Sequence, residues 1–337
     1  MNTPGSIVPA DAKAVKQAAR LLREGGVVAF PTETVYGLGA DAFNPRAAAR
    51  VFEIKNRPHF DPLIVHVSGR KQLRLLCEEP GPEAEKLMDL FWPGPLTLVL
   101  PKKESVPDIV TSGLPTVAVR MPAHDTALEL IRKAKTPLAA PSANPFSYLS
   151  PTTAPHVAAQ LGARVDLILD GGPCSVGVES TILDVSGGEL VLLRSGGISV
   201  EEIEKALGRK VSLRAPDPDK VTAPGQLERH YSPRTPLRLV KRHEHAEPGP
   251  SAGLLCLRPP GKAPPFAHTE ILSVSGDLRE AAANLFQCLH RLDAAGLSVI
   301  YAEEVPDEGL GRAIMDRLRR AAKTAGGMNG TGSLRDK

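Results

Sequence analysis

Val27-Val28-Ala29-Phe30-Pro31-Thr32-Glu33-Thr34-Val35-Tyr36-Gly37-Leu38-Gly39 is the stretch that decides how the chain is read. Its first four residues are apolar and short, as a buried strand requires. Proline, hydroxyls and glycines follow. A strand that ends this way delivers polar side chains to a sheet edge, and the glycines let the backbone turn and approach a ligand. Taken alone, an ordinary turn with a capping threonine is the simpler reading.

Outward from this strand the elements alternate irregularly. Before it, Asp11 caps a helix whose Ala14, Val15, Ala18, Ala19 and Leu22 recur at helical spacing, and Gly25-Gly26 ends it. After it, Asn44-Pro45 opens a helix that packs Ala48, Val51 and Phe52. Pro58 pushes Arg57 out of the helical region, so this helix stops near Asn56. Short strands are expected at Leu63–Val67, Thr97–Leu100, Thr116–Arg120, Asp166–Leu169, Thr181–Val185 and Leu190–Arg194. Several follow one another with no helix between, so the first domain, 1–213, is mixed α/β and not a strictly alternating parallel sheet.

A helix over Val200–Leu207 precedes a break. Residues 214–236 contain Pro216, Pro218, Pro224, Gly225, Pro233 and Pro236, the composition of a linker. It is long enough to suggest a function of its own. Residues 237–325 then alternate: strands at Leu237–Val240, Gly253–Leu257, Glu270–Val274 and Ser298–Ala302, helices at Asp277–Ala295 and Leu310–Ala322. That pattern fits a smaller parallel α/β domain. The tail 326–337 reads as disordered.

Composition closes off several classes. The chain has 337 residues, more than one core usually supports, and a net charge of +3. No run of 18 apolar residues exists, so no transmembrane helix is expected. The start lacks a basic segment followed by an apolar one, so no signal peptide is expected. Cys77, Cys174, Cys256 and Cys288 have neither zinc nor redox spacing, which points to reduced thiols in a cytoplasmic protein. Residues 209–337 hold 20 basic and 15 acidic groups, a mild excess that does not establish nucleic-acid binding. There is no Walker loop, no His-Glu-x-x-His and no nucleophile elbow. Gly37-Leu38-Gly39 fails as a dinucleotide fingerprint because Ala42 stands where the third glycine belongs.

What remains is a set of polar clusters at strand and helix ends. Lys55-Asn56-Arg57-Pro58 places two cations at a helix C-terminus, and the proline restrains Arg57 as a phosphate clamp requires. His66 lies on a strand. Thr116, Ala118 and Arg120 share one strand face, and a cation among apolar neighbours must find an anion, either an internal carboxylate or a substrate. Ala139-Ala140-Pro141-Ser142-Ala143-Asn144, Ser150-Pro151-Thr152, Val178-Glu179-Ser180-Thr181 and Arg194-Ser195-Gly196 add hydroxyls and small residues. No nucleophile–base pair is present. The inventory suits electrostatic positioning, as in phosphoryl or nucleotidyl transfer.

At these clusters the sequence resembles the threonylcarbamoyl-AMP synthases of YrdC type, in their long two-domain form. The resemblance rests on PTETVYGLGADA, FEIKNRP, PLIVHV, TVAVRMP, APSANPF, LSPTTAPHV, GVESTILDV and LLRSGG, and on APGQLERHYSPRTPL and GLGRAIMDRLRRAA in the second half. It implies a twisted mixed sheet with helices, plus a Rossmann-like parallel α/β domain. It implies that L-threonine, bicarbonate or CO2, and ATP with Mg2+ give threonylcarbamoyl-AMP and pyrophosphate. The product passes to tRNA-modifying proteins that act on the adenosine beside the anticodon. It assigns Thr34, His66, Arg120, Ala140 and Ser180 to threonine. Lys55, Arg57, Thr116, Ser142, Ser150, Arg194 and Tyr231 go to ATP, with Lys55 and Arg57 offsetting the developing charge and Tyr231 closing the linker as a lid. Metal ligands stay unassigned. Two positions depart from the family pattern: Asp61 replaces an expected Asn, and Ser147 an expected Gly.

Two other functions share parts of this pattern. The carbamoyl-transfer protein of hydrogenase maturation shares YrdC-type modules but carries paired CxxC motifs, which are missing here. A non-catalytic double-stranded RNA-binding module would use the basic second half, and weak RNA contact is compatible with it. Aromatics are only 4%, however, and no stacking motif is present.

Overall fold

The computed structural model describes residues 3–213, 223–224, 230–261 and 266–323. Most of the 214–236 linker and the whole 326–337 tail lie outside the described residues.

The larger sheet contains β1 (Ile7–Pro9), β2 (Val28–Phe30), β3 (Gly37–Asp41), β4 (Ile64–His66), β5 (Leu96–Pro101), β6 (Thr116–Arg120), β7 (Leu138–Ala139), β8 (Leu167–Asp170), β9 (Thr181–Asp184), β10 (Val191–Arg194) and β11 (Ser212–Leu213). Their order is β1-β8-β2-β3-β7-β4-β6-β5-β9-β10-β11, with parallel and antiparallel pairs mixed. The smaller sheet contains β12 (Leu237–Val240), β13 (Ala252–Cys256), β14 (His268–Ile271) and β15 (Val299–Glu303). Its order is β12-β15-β13-β14 and every pairing is parallel. The helices are α1 (Ala12–Arg23), α2 (Pro45–Lys55), α3 (Arg70–Leu76), α4 (Pro82–Phe91), α5 (Asp108–Thr111), α6 (Asp125–Ala134), α7 (Ala154–Leu161), α8 (Val200–Leu207), α9 (Leu278–Ala294) and α10 (Leu310–Ala322).

The expected caps are in place. Asp11 accepts from the Ala14 amide, and Asn44 accepts from the amides of Arg46 and Ala47 with Pro45 in the first turn. Asn56 ends α2 in the left-handed region, where Asn is tolerated better than most residues. In the large sheet the two-residue period separates two environments. Val65, Leu98, Val117, Val119 and Leu183 face the main core. Ile64, Val99, Ala118 and Ile182 turn to the opposite face, where Ala223 of the linker packs on them. His66 and Arg120 lie on that second face, side by side in the β4–β6 register. No helix among the described residues is long and apolar enough to cross a membrane.

Three expectations need correction. Gly37-Leu38-Gly39 is not a turn but the start of β3, paired antiparallel with β2. A Cβ on Gly39 would stand 2.6 Å from Phe30 Cε1, so that glycine makes room for a cross-strand aromatic ring and not for a ligand. The strand expected over Glu270–Val274 occupies His268–Ile271 instead. Ser273 still donates its amide to the Leu257 carbonyl, but its hydroxyl bonds Glu280 at the start of α9, and Val274 is 71% exposed. The small residues of GVESTILDV do not all serve ligand approach either. Gly177 has φ +72°, and a Cβ there would meet Ala283 Cα of α9 at 2.4 Å. That glycine seats the second sheet's helix layer on the first domain.

Candidate active site

On the second face of the large sheet, one cavity gathers most of the polar clusters. Thr34 comes from the segment after β2, His66 from β4, Arg120 from β6, Ala140 from the end of β7 and Ser180 from the start of β9. Arg57, Ser142, Arg194 and Tyr231 line the same hollow, with Pro224 and His230 from the linker. Lys55, Thr116 and Ser150 are not in its wall. Lys55 is buried behind it and donates to the carbonyls of Ser142 and Asn144, fixing that loop. Ser150 donates to Glu179 Oε1. Thr116 stands at the far end of β6, opposite Pro101.

At one end Arg120 is held by its own sheet. Its Nε donates to His66 Nε2 at 3.3 Å, and its Nη2 lies 3.4 Å from Glu33 Oε2. Its Nη1 is buried and has no hydrogen-bond partner among the described residues. Burial lowers the Arg120 pKa, and Glu33 opposes the shift. His66 is held well below its usual range, first by burial and then by Arg120, so it is a neutral acceptor. Thr97 Oγ1 and Ser180 Oγ lie 2.7 Å apart, which orients Ser180.

The other end is more cationic. Arg57 donates from Nε to the Asp61 carbonyl at 2.9 Å and from Nη2 to the Pro62 carbonyl at 2.8 Å, with Asp61 Oδ1 also at 2.8 Å from Nη2. Asp61, 0% exposed, is therefore the internal counter-charge of Arg57. Burial lowers Arg57 and raises Asp61, and each opposes the other's shift. Arg194 donates to the Ser180 carbonyl and hydroxyl and to the Pro224 carbonyl at 3.3 Å, so it ties the linker to the wall. Ser147, the other departure, has φ +67°, a conformation that glycine adopts without strain.

The linker closes the cavity. Tyr231 is 1% exposed and has φ +59°, a strained conformation for an aromatic residue that points to a functional constraint. Its ring packs against His230 and Phe286. The free volume is about 50 Å³. Sites for drug-sized ligands are on the order of 300–1,000 Å³. In the described state the cavity, lined on one side by Pro224, His230 and Tyr231, is smaller than such a ligand requires.

Sequence reading did not give roles to Glu33, Glu179, His230 or Arg317. Thr32 accepts the Thr34 and Val35 amides and shapes the loop. Arg317 had a visible signal. It falls among Ala313, Ile314, Leu318 and Ala321, the buried stripe of α10, where a charge is out of pattern.

Several buried histidines predict a pH dependence of stability. Burial lowers His66 and His230 well below 6.5, and takes His156 to about 3. Below pH 6.5 the unfolded chain binds protons at these sites and the folded chain does not. Stability is therefore complete above pH 6.5 and is lost as pH falls, by up to about 1.4 kcal/mol per pH unit per histidine. Thermal melts between pH 7.5 and 5.5 should show a falling midpoint. A flat profile would mean that these rings protonate in place.

Three guanidinium groups, two imidazoles held neutral by burial and several hydroxyls in one cavity can grip two anionic groups at once. Comparison with known proteins agrees with this picture. Residues 20–196 match the family model for Sua5, YciO and YrdC proteins, described as "Telomere recombination". Residues 198–323 match "Threonylcarbamoyl-AMP synthase, C-terminal domain". The threonylcarbamoyl-AMP synthase of Pyrococcus abyssi is 44% identical over 91% of this chain and 94% of its own. That of Bacillus subtilis is 43% identical over 91% and 92%. The crystal structure of Pyrococcus abyssi Sua5 complexed with L-threonine superposes with a TM-score of 0.87 at 42% identity, covering 94% of this chain and 97% of that one. Sheet, cavity and second domain together define a two-domain protein of YrdC type. The chain belongs to the threonylcarbamoyl-AMP synthase family.

Proposed function

We infer that this chain joins L-threonine, CO2 or bicarbonate, and ATP into threonylcarbamoyl-AMP with release of pyrophosphate. The observation that carries the reading is the convergence of Arg57, Arg120 and Arg194 in one cavity. Arg120 presents an unsatisfied Nη1 next to neutral His66. A buried donor without a partner is costly, and a carboxylate supplies one. Arg120 therefore takes the threonine carboxylate, with Thr34, His66, Ala140 and Ser180 around the rest of the amino acid. Arg57 and Arg194 take the phosphates beside Ser142, and Lys55 fixes the Ser142 loop from behind.

The threonine amine loses a proton and adds to CO2, giving a carbamate. A carbamate oxygen then attacks the α-phosphorus in line. The bond to the β-phosphate oxygen breaks, and pyrophosphate leaves with that electron pair. The side chains position and neutralise, and no covalent enzyme intermediate is formed. No three His, Cys, Asp or Glu side chains among the described residues gather as a metal site. Magnesium bound with ATP would be held largely by phosphate oxygens and would, with Arg57, offset part of the triphosphate charge. Closure by His230 and Tyr231 excludes water from a carbamate that decarboxylates readily. The product serves proteins that modify tRNA beside the anticodon, and four free, buried cysteines suit a cytoplasmic setting.

The test is product analysis with labelled bicarbonate. Equimolar pyrophosphate and a labelled threonyl adduct of AMP are expected, and only when threonine, bicarbonate and ATP are all present. A non-catalytic double-stranded RNA binder would release no pyrophosphate. The lid has its own test. Tyr231→Ala should raise the apparent ATP requirement about tenfold, the low end of what a lost base–aromatic stack costs. Unchanged nucleotide affinity would remove Tyr231 from the nucleotide's surroundings.

A further inference from the structure

Arg317 is 0% exposed and belongs to α10, the last helix described, yet it reaches Glu179 and Ser195 of the first domain. Its Nε donates to Glu179 Oε2 at 2.9 Å. Its Nη1 donates to the Ser195 carbonyl at 2.7 Å and to its own neighbour Asp316 at 2.9 Å. Its guanidinium carbon lies 4.9 Å from the centre of the Tyr231 ring, within range of a cation–π contact. One cation thus touches three parts of the site. Glu179 lines the cavity and holds Ser150 with its other oxygen. Ser195 directly follows the clamp residue Arg194. Tyr231 is the closing aromatic.

The charges explain why this position needs an arginine. Glu179 is a buried carboxylate in the wall of a cavity that must accept a triphosphate. Left unpaired, it would repel the phosphates and cost desolvation energy. Arg317 cancels it from behind, out of the cavity wall. The fork geometry of the guanidinium bonds Glu179 and Ser195 together, which an ammonium cannot reproduce. The surrounding packing runs the same way: Val35, Leu149 and Val178 of the first domain share one apolar cluster with Tyr231, Phe286 and Leu318.

We propose that Arg317 is a positioning residue through which the second domain neutralises Glu179 and holds Tyr231 closed over the nucleotide, so that ATP use depends on the docked second domain. This rests on the synthase reading, and it gives the second domain a task within the same site. Arg317 touches no substrate and acts through Glu179, Ser195 and Tyr231.

The experiment is calorimetric binding of a non-hydrolysable ATP analogue and, separately, of threonine, to the full chain and to Arg317→Met, Arg317→Lys and Arg317→Met/Glu179→Gln. Arg317→Met should weaken the ATP analogue by about 10–100-fold, the worth of a lost hydrogen bond to a charged group. Threonine binding should stay within about threefold, since Arg120 and His66 are held by other partners. The double variant should regain much of the ATP affinity, because the uncompensated charge has gone. Arg317→Lys should fall between wild type and Arg317→Met, and it keeps the test open should Arg317→Met fail to fold. Unchanged ATP affinity in both single variants, or equal losses for ATP and threonine, would overturn the proposal. If wild type binds both ligands but makes no adenylate, the synthase reading fails while the Arg317 comparison still stands.

Discussion

Arg120→Met should reduce threonine-dependent pyrophosphate release on the order of 10²–10³-fold, the usual cost of removing one fixed donor from a charged reacting group. The cause is local. Arg120 Nη1 is the buried donor left without a partner beside His66, and the remaining nitrogens are already engaged by His66 and Glu33. A methionine fills the space but leaves the threonine carboxylate unmatched. The loss should concentrate in threonine affinity, with ATP affinity close to wild type. Arg120→Lys should recover part of it as a point charge without the bidentate fork. An Arg120→Met enzyme with an ordinary threonine requirement would show that the carboxylate lies elsewhere.

Arg57 should show its two functions separately. Arg57→Met alone should lower stability by about 3–5 kcal/mol, because Asp61 is then a buried carboxylate with its main counter-charge removed. Lost activity in that variant would mix unfolding with chemistry. Arg57→Met/Asp61→Leu removes both charges, and replacing a buried ion pair by apolar groups is often neutral for stability. The double variant should therefore melt near wild type yet remain on the order of 10²–10³-fold slower in adenylate formation. Wild-type turnover in a stable double variant would contradict the phosphate clamp. Stability that stays low would mean that the carbonyls of Asp61 and Pro62 also depend on Arg57.

These two residues show how much could be read from sequence. That Arg57 and Arg120 had to find anions followed from local position: a proline-restrained helix end and an apolar strand face. Which anions they find did not, because Glu33 and Asp61 meet them only through sheet pairing and loop geometry. The same holds for Ser150, whose partner Glu179 lies 29 residues away. Strands with clear alternation, such as Thr116–Arg120, and helices with full caps, such as Val200–Leu207, have the expected bounds. β1 and β7 have three and two residues, too few for any period. α3 buries only Leu73 and Leu76, so its pattern is as faint. Glycine is ambiguous for another reason. Gly39 opposite an aromatic ring and Gly177 against a helix look the same in sequence as a glycine that approaches a phosphate.

One cavity must hold both an amino acid and a triphosphate. The direct measurement is a crystal structure of this chain with threonine and a non-hydrolysable ATP analogue bound together. Arg120 should meet the threonine carboxylate, Arg57 and Arg194 the phosphates, and Tyr231 the nucleotide, with the amine and the α-phosphate facing each other across a gap that fits one CO2. Ligands on separate surfaces, or a triphosphate away from Arg57 and Arg194, would contradict it.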